Sequence, residues 1–143
     1  MPASEIISSR LLPFPVAKVY EAFSNPELLQ RWWGPEGFSN TIHEFDLRPG
    51  GRWRLTMHGP DKGHYENAST FTLVEAPSRV AWTRQSQPLF DMEILFTEID
   101  VDRSTITFRM CFETEEACAK IRPFGTPKNE ENFDRLEALL RNL

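Results

Sequence analysis

The sequence predicts an α+β fold in which one curved antiparallel sheet packs against a long C-terminal helix, with two short helices after the first strand. Three observations carry this. Between Thr41 and Phe112, apolar residues recur at every second position in five or six consecutive runs, the period of half-buried strands. Between Val16 and Trp33 they recur at three- and four-residue spacing, the period of helices. Near the C-terminus, Phe133, Leu136, Leu140 and Leu143 form the only long amphipathic stripe.

Each element has its own signal. Glu5–Leu12 reads as a strand closed by Pro13. Pro15 suits a first helical turn, where its missing N–H would be unpaired anyway. Val16, Val19, Tyr20 and Phe23 then share one helical face. Asn25 and Pro26 end that helix and start the next, as N-cap and first residue. Leu28, Leu29, Trp32 and Trp33 line the second helix, and Gly34-Pro35 ends it. Trp53, Leu55 and Met57 alternate with Arg52, Arg54 and Thr56, and the turn-forming run from Gly59 to Gly63 follows. Phe71 and Leu73 are expected to continue the apolar face, as are Val80 and Trp82, then Met92, Ile94 and Phe96, then Ile106, Phe108, Met110 and Phe112. Such one-faced strands in succession read as an antiparallel meander. Thr114 is expected to open a short helix to about Arg122. Pro123-Phe124-Gly125 reads as a break, with Thr126 and Pro127 as N-cap and first residue of a separate final helix. On that helix Glu131–Arg135 and Glu137–Arg141 have the spacing of ion pairs. A curved sheet wrapped around one helix leaves a gap where the two diverge, so an internal apolar cavity is expected, plugged at one end by the short helices.

The 143 residues bound a single domain over residues 1–143. With 40% hydrophobic and 26% charged residues, the chain is not of the disordered class. No run approaches a membrane span, and residues 1–18 lack the basic start and apolar stretch of a signal peptide, so no membrane partner is expected. The net charge of −5 argues against nucleic acid. Two cysteines, Cys111 and Cys118, cannot staple a domain of this size and point to a reducing, cytoplasmic location. The chain is expected to be a monomer or weak homodimer that needs no disulfide. Phe, Trp and Tyr make up 12% of it, which implies a bulky interior or an interior with something in it.

Three runs carry a resemblance. The first is Ala22-Phe23-Ser24-Asn25-Pro26-Glu27-Leu28-Leu29-Gln30-Arg31-Trp32-Trp33-Gly34-Pro35. The second is Asp46-Leu47-Arg48-Pro49-Gly50-Gly51-Arg52-Trp53, and the third is Phe133-Asp134-Arg135-Leu136-Glu137-Ala138-Leu139-Leu140. In this order and spacing they resemble the SRPBCC superfamily, which includes START and birch-pollen-allergen-like domains. Within it they are most similar to the branch related to the C-terminal domain of heat-shock protein 90 ATPase activators. The resemblance implies a helix-grip fold of seven antiparallel strands around a long C-terminal helix, with an internal apolar cavity. It also implies a range of roles, from lipid transfer and hormone reception to polyketide cyclisation and co-chaperone activity.

Strand parity names the candidate ligand-binding residues. Trp53, Leu55, Phe71, Trp82, Met92, Phe108 and Met110 point inward, Phe133, Leu136 and Leu140 stand opposite, and Trp32 and Trp33 close one end. Arg84 shares the parity of Val80 and Trp82. An inward cation needs a partner, which Glu66, Asp91 or an acidic ligand group would supply. No cofactor or metal is expected. His43, His58 and His64 lack metal-site spacing and read as solvated histidines, with His58 and His64 meeting across a hairpin. Neither cysteine sits in a setting that would activate a thiol. Asp46 and Arg48 are expected to pair structurally beside Gly50-Gly51, which lacks the phosphate-loop pattern. The first reading is therefore a binding module for a small apolar or aromatic molecule. A chaperone-associated, stress-response interaction protein is the alternative. A cyclase or hydrolase is the third reading, and it lacks a visible acid–base pair.

Overall fold

Proline and glycine divide the chain where its alternation changes. In the computed structural model, which describes residues 4–143, strand β1 (Glu5–Leu12) is followed by helices α1 (Val16–Ser24) and α2 (Pro26–Trp32). Strands β2 (Ser39–Phe45), β3 (Arg52–His58), β4 (His64–Glu75), β5 (Arg79–Arg84), β6 (Asp91–Asp100) and β7 (Arg103–Cys111) come next, then helix α3 (Glu115–Arg141). The domain expected over residues 1–143 has its first three residues outside those described. The strands form one antiparallel sheet in the order β1-β7-β6-β5-β4-β3-β2. This is the helix-grip arrangement: β2 to β7 are a meander, and β1 closes the far edge against β7, with Glu5 opposite Cys111 and Leu12 opposite Ser104.

Local chemistry accounts for the joints. Asn25 Oδ1 accepts from the Glu27 amide at 3.0 Å, and Pro26 opens α2 where no amide proton is needed. Pro15 caps α1 rather than occupying its first turn; its carbonyl accepts from Lys18 and Val19. Between β2 and β3, Arg48 Nε donates to Asp46 Oδ2 at 2.8 Å. A Cβ on Gly51 would lie 2.0 Å from the Asp46 carbonyl oxygen, so only glycine closes this corner. Gly50 and Gly51 also exchange backbone bonds with Phe71, which makes the Asp-Leu-Arg-Pro-Gly-Gly run a structural device.

Three expectations are corrected. The helix expected to break at Pro123-Phe124-Gly125 is continuous from Glu115 to Arg141, with Thr114 as its N-cap and both Pro123 and Pro127 inside it. Proline's φ suits a helix, and tertiary packing overrides the local cost. Gly125 is buried in this stretch, where a Cβ would sit 3.4 Å from Ile6 Cδ1 of β1. In β4 the register shifts between Phe71, opposite Trp82, and Leu73, opposite Ala81. This bulge reverses the parity, so Val74 rather than Leu73 packs against the core. Leu143 lies beyond α3 and is exposed, so the apolar stripe ends at Leu140.

The core occupies the concave side of the sheet. Ile6, Trp53, Phe71, Trp82, Ile94 and Phe108 project into it from the strands, and Phe133, Leu136 and Leu140 meet them from α3. The backbone of α3 runs closest to β1, α1 and α2, so large side chains fill the distance to the central strands. No helix among the described residues is long and apolar enough to cross a membrane.

Candidate functional site

The concave face is built in rows, because residues opposite each other on neighbouring strands share a face. Phe71, Trp82, Met92 and Met110 form one row across β4, β5, β6 and β7. Trp53, Ser69 and Arg84 form another across β3, β4 and β5, and Leu55 and Asn67 stand beside it. Where the cavity was expected, aromatic rings stand against one another. The Trp53 ring lies 5.1 Å from Trp33, 5.2 Å from Trp82 and 5.8 Å from both Phe23 and Phe45, and stacks on Phe71 at 6.2 Å. Phe108 and Phe133 join sheet to helix at 4.6 Å.

The structure thus brings Trp33, Trp53, Phe71, Trp82 and Phe108 into one ring cluster, with Leu55, Met92 and Met110 buried on the same face and Leu136 and Leu140 buried on α3. Trp32 is elsewhere. It is fully buried between α1 and α2, and its indole donates to the Ala22 carbonyl at 2.9 Å. Trp33 is the half-buried ring of the cluster and caps the end of α2.

Three buried side-chain polar atoms have no hydrogen-bond partner among the described residues, Asn40 Oδ1 on β2, Trp53 Nε1 on β3 and Asn132 Oδ1 on α3, and the last two are on the sheet and the helix that enclose the core. Trp53 Nε1, on a side chain only 2% exposed, has no acceptor, and Asn132 Oδ1 on α3 has no donor. A tryptophan N–H usually finds a partner when buried. Asn129, one turn earlier, donates to Ser8 Oγ at 3.2 Å and to Met110 Sδ at 3.6 Å. Both asparagines were missed as site residues. The signal was present: Asn129, Phe133, Leu136 and Leu140 follow helical spacing, so the apolar stripe carries polar residues toward its start.

Arg84 does face inward, but neither expected carboxylate meets it. Its Nε donates to the Pro88 carbonyl at 2.9 Å, and its Nη2 donates to Asn67 Oδ1 at 2.8 Å and to Ser86 Oγ and the Gln87 carbonyl at 3.3 Å. The guanidinium lies 5.1 Å above the Phe90 ring. Glu66 accepts from Thr56, and Asp91 accepts from Thr83. Those carboxylates have the opposite parity and belong to the outer face. Burial pushes the Arg84 guanidinium below its ordinary pKa.

Arg135 was expected to pair with Glu131. Instead its Nη1 donates to the carbonyls of Trp33, Gly34 and Pro35 at 2.9–3.1 Å, and its Nη2 donates to that of Arg31. It satisfies the C-terminal carbonyls of α2 and the loop after it. Glu131 accepts from the Glu36 amide.

The histidines lie on the outer face. His58 and His64 meet across the β3–β4 hairpin with Nδ1 atoms 2.7 Å apart, and His43 contacts Thr56 Oγ1. Cys111 is also on that face, where burial raises its thiol pKa, while Cys118 is buried on α3. Two depressions flank the domain. One, of about 300 Å³, lies between α2 and β2 beside Pro26, Gln30 and Ile42. The other, of about 280 Å³, lies mainly over outward residues of β5, β6 and β7, including Thr83, Glu93 and Arg109.

Comparison with known proteins matches residues 13–141 to the family described as "Activator of Hsp90 ATPase homolog 1-like protein". A search of curated proteins found no significant match. Among solved structures, a protein from Nitrosomonas europaea is similar over 99% of both chains, at 23% identity and a TM-score of 0.88. A protein from Mycobacterium smegmatis aligns over 98% of this chain and 92% of its own, at 24% identity and a TM-score of 0.87. An AHSA1-like protein from Aeromonas hydrophila aligns over 96% of this chain and 92% of its own, at 19% identity and a TM-score of 0.77. At these identities the likeness shows a shared fold.

Proposed function

The chain belongs to the family of Activator of Hsp90 ATPase homolog 1-like proteins, and from that premise we propose that it is a binding module holding a small apolar or aromatic molecule on the concave face of its sheet, beneath α3. The observation that carries this reading is the unpartnered pair of buried polar atoms, Trp53 Nε1 and Asn132 Oδ1. Leaving such a group unsatisfied costs about 1–3 kcal/mol, and a small molecule that supplies an acceptor to one and a donor to the other recovers that cost. Ring–ring contacts are adaptable because ligand rings replace them in kind. Trp33, half-buried at the end of α2, is the ring a ligand displaces outward.

A neutral aromatic amide, 2-naphthamide, offers both an acceptor and a donor on an apolar body. Calorimetric titration is expected to give saturable binding. Trp53→Phe keeps a ring but removes the N–H, and is expected to weaken binding about 5- to 30-fold. Arg54→Ala, on the outer face, is expected to leave it unchanged. Absence of binding, or equal loss in both variants, would count against the reading.

The family description favours a second reading, a stress-response role in contact with an Hsp90-type chaperone. It predicts binding of the chaperone to this chain and a changed ATPase rate. Chaperone binding by a chain that takes up no small molecule would put this reading first.

A further inference from the structure

The row Trp53–Ser69–Arg84 runs from the middle of the ring cluster to a cation. Neighbouring strands are about 4.8 Å apart, so backbone positions two strands apart are separated by about 10 Å, the length of a two-ring aromatic molecule with its substituent. Among the described residues Arg84 has no carboxylate partner. Its side-chain hydrogen bonds among those residues are to neutral oxygens, from Nε and Nη2, and Nη1 makes none to them. Its guanidinium rests on Phe90, which packs on Phe112 at 5.1 Å, so the cation stands at the border of the apolar interior. A cation held this way by neutral dipoles keeps its charge available to a ligand.

We infer that Arg84 is the head-group site for an amphipathic monocarboxylic acid whose apolar body lies along Trp82 and whose far end carries a hydroxyl that meets the unpartnered polar atoms at Trp53 and Asn132, an inference that rests on the ligand-binding reading above. A monoanion fits better than a phosphate dianion. The Pro88 and Gln87 carbonyls and Asn67 Oδ1 already crowd the guanidinium with negative dipole ends, and only one nitrogen is free to donate. Burial disfavours the charged guanidinium, and an anion beside it would restore the balance.

The test compares 6-hydroxy-2-naphthoate with 6-hydroxy-2-naphthamide, which share rings and hydroxyl and differ in charge, by calorimetry at pH 7.5. Wild type is expected to bind the acid at least about 10-fold more tightly than the amide. Arg84→Gln is expected to abolish that preference. Asn67→Ala, which removes a neutral neighbour and keeps the cation, is expected to retain it. Arg84 also braces residues 86–88, so a readout on the unmodified protein accompanies the variants. The Arg84 side-chain nitrogen resonances are expected to shift with the hydroxynaphthoate and not with the hydroxynaphthamide. Equal affinities in wild type, a preference that survives Arg84→Gln, or unshifted Arg84 resonances would make Arg84 a loop brace only. Binding of the amide without preference for the acid would overturn this inference and leave the ligand-binding reading standing. Failure of both probes to bind would overturn both.

Discussion

Arg109 sits between two carboxylates on the outer face, donating to Glu5 of β1 and, at 3.3 Å, to Glu93 of β6. The hydrogen bond from Arg109 holds the Glu5 carboxyl below its ordinary pKa of 4.5, against an opposing effect of burial. A carboxyl whose folded-state pKa is depressed stabilises the fold above the unfolded value and loses that contribution as pH falls through the folded value. Wild type is therefore expected to exceed Glu5→Gln in urea midpoint at pH 7, and the two are expected to converge as the pH falls below 4.5. A gap that stays constant with pH would show that the ion pair contributes nothing through titration. At this scale parity was a sound guide to direction. It placed Arg84 inward, and it also places Glu66 and Asp91 outward, which the proposed pairing overlooked. Parity says nothing of which oxygen a long side chain finds, and Arg84 and Arg135 both found carbonyls of the backbone.

At the scale of elements, α3 is the clearest case of packing overriding propensity. Pro127 removes the N–H that would bond to the Pro123 carbonyl four residues earlier, yet the helix runs through both. Burial of Cys118, Gly125, Asn129, Phe133 and Leu136 along α3 holds the backbone helical. Pro127 is exposed, so Pro127→Ala is expected to stabilise the protein by about 1–3 kcal/mol, read as a higher melting temperature. Thr126→Ala is expected to be neutral or slightly stabilising. Were this the start of a separate helix, Thr126→Ala would cost about 1 kcal/mol as a lost N-cap, and Pro127→Ala would bring no gain. The caps at Asn25 and Thr114 were legible because they depend on one or two neighbouring residues. The β4 bulge was not, since nothing in Phe71-Thr72-Leu73 departs from alternation; the register with β5 reveals it.

Across the whole molecule, the two ends of the chain hold each other. Arg10 of β1 donates to Asp134 at 2.6 Å and Glu130 at 2.9 Å on α3, with Glu137 at 3.6 Å, and lies 5.6 Å from the Phe133 ring. One cation thus faces three carboxylates, and its removal leaves them to repel one another. Arg10→Ala is expected to cost about 1–2 kcal/mol in urea unfolding, with the gap narrowing as salt is added. A cost independent of salt would assign the loss to packing on Phe133 alone. The sequence by itself determined the strand alternation, the inward set from Trp53 to Met110, and the amphipathic helix that covers them, because period and capping are local properties of the chain. Only the tertiary structure decided that α3 would run unbroken, that aromatic rings would meet where a void was expected, and that Arg135 would cap α2. Each of those outcomes depends on contacts between distant residues, such as Arg135 with Arg31, 104 positions apart, which no local pattern encodes.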